Sequence, residues 1–404
     1  AEMRSVVDDL EKYNVHIKTL KLNAENINTD IKVSDISNIQ ITDIIGEKVE
    51  YRKQFLLNEF KNQIILVTGA GGSIGSELCR QLLFANPDEI ILVDNSEFNL
   101  FNIVNEIERI KSKNNITTKL KKYLGSVRDY KRMNKIFQDN VPNQVFHAAA
   151  YKHVNLVEEN IIEGVTNNIF GSKNIIDLSI KVPSVKKFVL ISSDKAVRPL
   201  NFMGKSKRIV EMYLQTLSKK SKDKKLAIVR FGNVFNSSGS VIPLFQKQIE
   251  EGGPVTVTSK NVTRYFMSIP EAVSLILKAS IDANKGEIFI LDMGKPIKIF
   301  DLAKKLIRLS GLKEKLDPDD NGDILIKFTG LKKGEKEHEE LLIGDDYQRT
   351  ENNSIMIVHE PLLEKNVFND LIKQLKDAVD KENNDDLPEI LNKFFDVKIP
   401  TIKR

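Results

Sequence analysis

The stretch "VTGAGGSIGSEL", Val67 to Leu78, decides how this chain is read. The apolar run "QIILVTG" leads into it, and "SIGSELCRQLLFA" continues it with Ile74, Leu78 and Leu82 on one helical face. The local order is therefore strand, glycine turn, helix. Gly69, Gly72 and Gly75 stand where a backbone must approach a pyrophosphate closely, and the helix start at Ser73 and Ile74 offers free N–H groups to it. The next apolar run, "EIILVD", ends in Asp94, about twenty residues on, the distance at which an acid meets the ribose of a dinucleotide. Asp94 would repel a 2′-phosphate, so NAD is expected rather than NADP.

Beyond this unit the runs "VFHAAA", "KFVLISS" and "LAIVRFG" recur between helix-length periodic segments. Buried runs alternating with helices imply a parallel sheet covered on both faces. The expected fold is α/β: a Rossmann-type doubly wound parallel sheet with a smaller C-terminal α/β substrate domain and an N-terminal appendage. The appendage is expected over residues 1–60, with a helix in "RSVVDDLEKY", a strand in "VHIKTLKL" and an Asn-rich polar stretch after them. The NAD-binding domain is expected over 61–235 and the nucleotide-sugar domain mainly over 236–404, with a strand near 287–292 returning to the first sheet.

Composition excludes several classes. The 404 residues are 41% hydrophobic and 29% charged, and the formal charge of +5 is small beside 61 basic and 56 acidic residues. The densest basic run, "SKKSKDKK" from Ser218 to Lys225, has no interleaved aromatics and reads as a solvated helix end, so no nucleic-acid partner is expected. No stretch approaches the roughly 18 to 20 apolar residues of a membrane span, and no secretory signal opens the chain. The single cysteine, Cys79, lies in a helix pattern, reads as core and suits a reducing compartment. No metal is expected. The chain begins at Ala1, which suits a piece of a longer protein.

The glycine spacing resembles that of the short-chain dehydrogenase/reductase superfamily. "HAAAYKHV" (His147 to Val154), "NNIFGSKN" (Asn167 to Asn174) and "VRFGNVFNSSGSVIPLF" (Val229 to Phe245) resemble motifs of its extended branch. "GSVRD" sits where such enzymes cradle the adenine, with Ser126 where an acid is common. "SSDKAVRP", "NFMGKSKR", "RYFM" and "KKGEKEHEELL" narrow the resemblance. Over residues 42–350 the chain is similar to the large, membrane-anchored UDP-N-acetylglucosamine 4,6-dehydratases of bacterial glycan pathways. That resemblance implies NAD as cofactor, UDP-N-acetylglucosamine as substrate, a homo-oligomer, and a cytoplasmic enzyme held at the inner membrane by an upstream anchor. It also implies that Ser126, Val127, Ala148 and Ala149 line the cofactor.

One position departs from the superfamily pattern. A Tyr-x-x-x-Lys pair normally shares one helix face, the lysine binding the nicotinamide ribose and lowering the tyrosine's pKa so that it can take a hydroxyl proton. Met203 and Lys207 keep the spacing without the acid/base group. Read blandly, Met203 is a core residue on a stripe with Val210 and Leu214, and the protein is a non-catalytic NAD-binding relative. Against this stands Ser193-Asp194-Lys195 at the end of an apolar strand, since strand carboxyl ends are where ligands bind in this fold. By resemblance Asp194 is the acid at the sugar's C6, Lys195 the base at C5, and Ser193 contacts the substrate near C4. The acceptor of the C4 hydroxyl proton is left open among a water relayed to Lys207, Lys195 and Asp194.

The resemblance also implies Asn233, Ser240 and Val241 along the diphosphate and uridine. Arg264 would pair with a phosphate, Glu335 meet the nucleoside and Lys152 reach the sugar. Retention at C5 is expected, and a nucleotide-sugar 4-epimerase is the alternative activity.

Overall fold

A computed structural model describes residues 58–396 apart from 220, 222, 345, 346, 361, 383 and 384, together with 401–402 and scattered positions before residue 58. Most of the expected appendage lies outside the described residues. The strand expected there is seen as Lys18–Leu20, paired antiparallel with Ile36–Asn38.

The chain divides into two compact units, and neither is continuous. The larger holds Glu50–Gly232, Ile269–Met293 and Glu339–Arg404; the smaller holds Ala1–Val49, Asn233–Ser268 and Gly294–His338. Residues 236–404, expected to lie mainly in the nucleotide-sugar domain, are divided between the two units.

The larger unit is built on a nine-stranded sheet. Strands β1 (Ile64–Thr68), β2 (Glu89–Asp94), β3 (Lys119–Leu124), β4 (Gln144–His147), β5 (Lys187–Ile191), β6 (Lys225–Arg230) and β7 (Lys285–Leu291) run parallel in the order 3-2-1-4-5-6-7. Beyond β7 lie two antiparallel strands, β8 (Tyr347–Arg349) at the edge and β9 (Ile355–Val358) next to β7. Every residue of β2 and of β5 is buried, as two covered faces require. The edge strand β3, "KLKKYL", carries three lysines, which blunts an open edge.

Strand order reverses between β1 and β4. A crevice opens beyond the carboxyl ends of strands at such a reversal, and ligands bind there in this fold.

Helices cover the sheet. Among them are α1 (Ser73–Phe84), α2 (Glu97–Asn114), α3 (Tyr130–Asn140), α4 (Ser172–Lys181), entered through a π-helical turn at Val165–Gly171, and α5 (Phe202–Ser218). Asn201 starts α5 by accepting the Gly204 N–H at 2.8 Å, and Asp129 starts α3 by accepting the Arg132 N–H at 2.9 Å. Cys79 is buried in α1, where burial raises its thiol pKa, in keeping with a core role. The basic run after α5 is not purely solvated. Lys224 donates to the carbonyls of Ser179, Val182 and Val185 and so closes the end of α4.

The smaller unit has its own core. Val255–Val257 pairs parallel with Ile324–Phe328, and the helices Val241–Glu250 and Ile299–Leu309 pack there. Phe235 and Phe266 stack with ring centroids 5.0 Å apart, and Ile17 joins the same core.

Candidate active site

The glycine turn between β1 and α1 forms as its spacing requires. Gly69 has φ +67°, and an added Cβ would lie 2.8 Å from the backbone of Ala149, so glycine is needed both for conformation and for the approach of β1 to the end of β4. Gly72 precedes the first turn of α1, which carries neither a side-chain cap nor an acidic residue, so its N–H groups can meet an anion. Asp94 is tied to the turn. Its Oδ2 accepts the Gly71 N–H and its Oδ1 the Ser96 N–H, each at 2.8 Å. Both oxygens retain lone pairs for a ribose hydroxyl. A flexible acid would lose entropy on meeting a ligand, and Asp94 is already fixed.

Around this cradle the other expected cofactor residues take definite places. Ala148 donates its N–H to the Thr68 carbonyl at 3.1 Å, which holds the end of β4 beside β1. Val127 is buried after β3, and the neighbouring Ser126 hydroxyl accepts the Arg128 N–H at 3.2 Å. His147, one residue before Ala148, bridges the Thr68 hydroxyl at 2.7 Å and the Ser172 hydroxyl at 2.8 Å. Burial, with a smaller contribution from Lys207, pushes its pKa down to about 3 and keeps it neutral.

The segment after β5 concentrates the ionisable groups. Ser192 donates to Glu211 at 2.6 Å, and the chain turns through a short 3₁₀ helix at Asp194–Ala196. The Asp194 N–H is held by the Phe231 carbonyl at 3.0 Å. Asp194 is 1% exposed. Its Oδ1 accepts from the Ser193 hydroxyl at 2.8 Å and from Lys195 Nζ at 3.1 Å, while its buried Oδ2 has no hydrogen-bond partner. Glu339 adds a second carboxylate, its Oε1 3.4 Å from Lys195 Nζ. A buried acceptor without a donor costs about 1–3 kcal/mol, a cost that a ligand hydroxyl would remove.

Helix α5 is pressed against this turn. A Cβ at Gly204 would collide with the Lys195 carbonyl oxygen, so only glycine permits the contact. Met203 is 2% exposed in the same first turn. Lys207, one turn on, is half-buried and donates Nζ to the Ile191 carbonyl at 3.0 Å. Burial lowers its pKa to about 8, and the charge of Glu211 opposes a further fall. Met203 and Lys207 therefore keep the spacing of the superfamily pair on the helix that abuts Asp194 and Lys195. Lys152 lies on the exposed segment after β4.

The remaining expected residues belong to the smaller unit. Ser240 immediately precedes the helix that Val241 begins; its hydroxyl is buried without a hydrogen-bond partner and does not cap that helix. The Asn233 N–H is held by the Tyr265 carbonyl at 3.1 Å. Arg264 is not a surface residue: it is 7% exposed and forms a 3.0 Å ion pair with Glu335 through Nη2. The two charged residues expected to contact the nucleotide thus contact each other.

Sequence reading missed two features. Glu339 lies in the quoted "KKGEKEHEELL", but nothing in its spacing tells it from the neighbouring acids. The buried network of Arg230, Glu211, Glu360 and Arg208, which fixes the end of β6 to α5, was signalled by an arginine ending an apolar strand. A buried charge of that kind requires a partner.

Residues 65–360 match the family model described as polysaccharide biosynthesis protein. The chain belongs to that family. It is 47% identical over 314 residues to the capsular polysaccharide biosynthesis protein CapD of Staphylococcus aureus, a match covering 78% of this chain and 51% of CapD. The chain therefore spans about half the length of that relative. It is 34% identical to a UDP-glucose 4-epimerase of Rickettsia canadensis, over 72% of this chain and 81% of the epimerase. The solved structure of Pen from Bacillus thuringiensis superposes with a TM-score of 0.65 at 35% identity, covering 75% of this chain and 91% of Pen. The fold is that of the nucleotide-sugar dehydratases and epimerases of the extended short-chain dehydrogenase/reductase type. Among the described residues no helix is long and apolar enough to cross a membrane.

Proposed function

We propose that this chain catalyses the NAD-dependent 4,6-dehydration of UDP-N-acetylglucosamine to the 4-keto-6-deoxy sugar nucleotide, with retention at C5. The observation that carries the reading is the hydrogen-bonded Ser193-Asp194-Lys195 group beside a helix that has Met203 in place of tyrosine. An oxidation alone needs one base. A dehydration needs an acid for the departing hydroxyl and a base for the adjacent carbon, and an adjoining carboxylate and amine meet that need.

The glycine turn and Asp94 fit a bound NAD, which would serve as hydride acceptor at C4 and donor at C6. In this reading Asp194 protonates the C6 hydroxyl as it leaves, Lys195 removes the C5 proton, and Ser193 holds the C4 hydroxyl. Ser240 and the start of the following helix bind the diphosphate, and Arg264 turns from Glu335 to a phosphate when the nucleotide arrives. Lys207 holds the nicotinamide ribose, and Met203 packs without moving a proton. Lys152 reaches the sugar. In the longer, anchored proteins that the sequence resembles, the reaction belongs at the cytoplasmic face of the inner membrane, carried out by a homo-oligomer.

A second reading, 4-epimerisation, is supported by the identity to the Rickettsia protein. Incubation with NAD and UDP-N-acetylglucosamine followed by mass spectrometry of the sugar nucleotide decides between them. Loss of one water supports dehydration. Unchanged mass with an inverted C4 overturns it in favour of epimerisation.

A further inference from the structure

Lys195 faces two carboxylates, and the chemistry above uses only one. Glu339 reaches it from a distant part of the chain; its side chain is 4% exposed, its Oε1 lies 3.4 Å from Nζ, and its Oε2 is buried without a hydrogen-bond partner. Burying an ionised carboxylate is costly unless an opposite charge offsets it. The one charge on Lys195 already meets Asp194 at 3.1 Å. A glutamine in the same place would pack as well and avoid that cost, so packing does not account for the carboxylate.

We propose that Glu339 is the proton partner of Lys195, a positioning residue that takes the ammonium's proton so that the amine can act as a base. The inference rests on the dehydration reading and supplies what that reading lacks, a route by which a lysine becomes neutral without tyrosine. An Nζ–H bond breaks and an O–H bond forms on Glu339 Oε1, which turns the ion pair into a neutral amine and a neutral acid. The amine then takes the C5 proton and becomes an ammonium again. Meanwhile the proton lost by the C4 hydroxyl passes through the Ser193 hydroxyl to Asp194 Oδ1, along the existing 2.8 Å hydrogen bond, and leaves with the C6 oxygen as water. Lys195 returns its proton to C5, and Glu339 then returns its own to the amine. Every proton taken up is given back or leaves in the water, and no further co-reactant is needed.

The test begins with the unsubstituted protein, NAD and UDP-N-acetylglucosamine. If no water is lost from the sugar nucleotide, the dehydration reading fails, and this inference falls with it. If water is lost, Glu339→Gln is compared in the same assay with rapid recording of NADH absorbance. The expected result is NADH formation close to normal, KM within about twofold, and kcat reduced at least about tenfold as the oxidised intermediate accumulates. Glu339→Asp, which keeps a carboxylate, should recover part of kcat. A second readout is the pH profile: kcat of Glu339→Gln should rise with pH relative to that of the unsubstituted protein, because the ammonium then loses to solvent the proton that Glu339 no longer takes. A Glu339→Gln enzyme with unchanged kcat, or with a kcat deficit that stays constant as pH rises, overturns the proposal. If that variant does not fold, Glu339→Asp decides. NADH formation with a slowed later step supports the proposal, and both steps unchanged contradicts it.

Discussion

The glycine turn and the turn after β5 lie at the carboxyl ends of strands in the same sheet, yet they are built in opposite ways. The first is local: Gly69, Gly72, the start of α1 and Asp94 lie within two consecutive strands, and most of its hydrogen bonding is to backbone. The second is assembled. Asp194 and Lys195 adjoin in sequence, but the Phe231 carbonyl, Gly204 of α5 and the Glu339 carboxylate reach them from three other segments. Binding a pyrophosphate needs oriented N–H groups, which any short stretch of backbone can supply. Moving protons at chosen carbons needs charged side chains in mutual contact, which only tertiary structure provides.

The largest effects should come from the assembled turn. Lys195→Ala and Asp194→Asn should each lower turnover by about 10² to 10⁴-fold while NAD still binds, as fluorescence titration of NAD beside product mass would show. Weakened NAD binding in either variant would mean that the two regions are not separable.

Two glycine substitutions sharpen the contrast from both sides. Gly69→Ala combines a positive φ with contact on the Ala149 backbone and should cost about 1–3 kcal/mol of stability together with NAD affinity. Gly204→Ala should cost about 1–3 kcal/mol through overpacking against Lys195 and lower kcat without loss of NAD affinity. Equal loss of NAD affinity in both would contradict the separation. Thermal unfolding and NAD titration of each protein give the comparison.

Next comes His147, which joins β1, β4 and α4. Its pKa is about 3 in the fold against 6.5 ordinarily, so between these values the unfolded chain binds more protons. Stability is therefore fully present above about pH 6.5 and declines on acidification toward about pH 3. His147→Gln should show a smaller fall in Tm between about pH 7 and about pH 5 than the unsubstituted protein. An equal fall would assign acid sensitivity to other groups.

Met203 should matter least. Met203→Ala should leave kcat within about tenfold of the unsubstituted protein, since no proton is assigned to its side chain. A complete loss with folding intact would make its packing part of the site.

This contrast also explains what was legible in the sequence. The parallel sheet, the turn and Asp94 follow from apolar runs and from glycine spacing, because each β-strand and its turn carry their own signals. Asp194 and Lys195 were legible because charges ending the buried strand β5 need a use. Arg264 and Glu335 were legible as residues but not as a pair, since the strand and the loop that carry them meet only in the fold. Glu339 was not legible, because one acid among several in "KKGEKEHEELL" becomes distinct only when it is buried against Lys195. A return of the chain to the first sheet near 287–292 was expected, but the bounds of the two units were hidden, since nothing at Ile269, Gly294 or Glu339 marks a crossing between cores.

The central claim is that oxidation at C4 and reduction at C6 occur in one active site around the Asp194–Lys195 pair. UDP-N-acetylglucosamine carrying deuterium at C4, converted in ordinary water with NAD, tests it most directly through NMR and mass spectrometry of the product. The account predicts that the deuterium appears in the C6 methyl group of a product lighter by one water, while a parallel reaction in heavy water places solvent deuterium at C5 alone. Solvent deuterium at C6, or a product that keeps its label at C4 with mass unchanged, would contradict it.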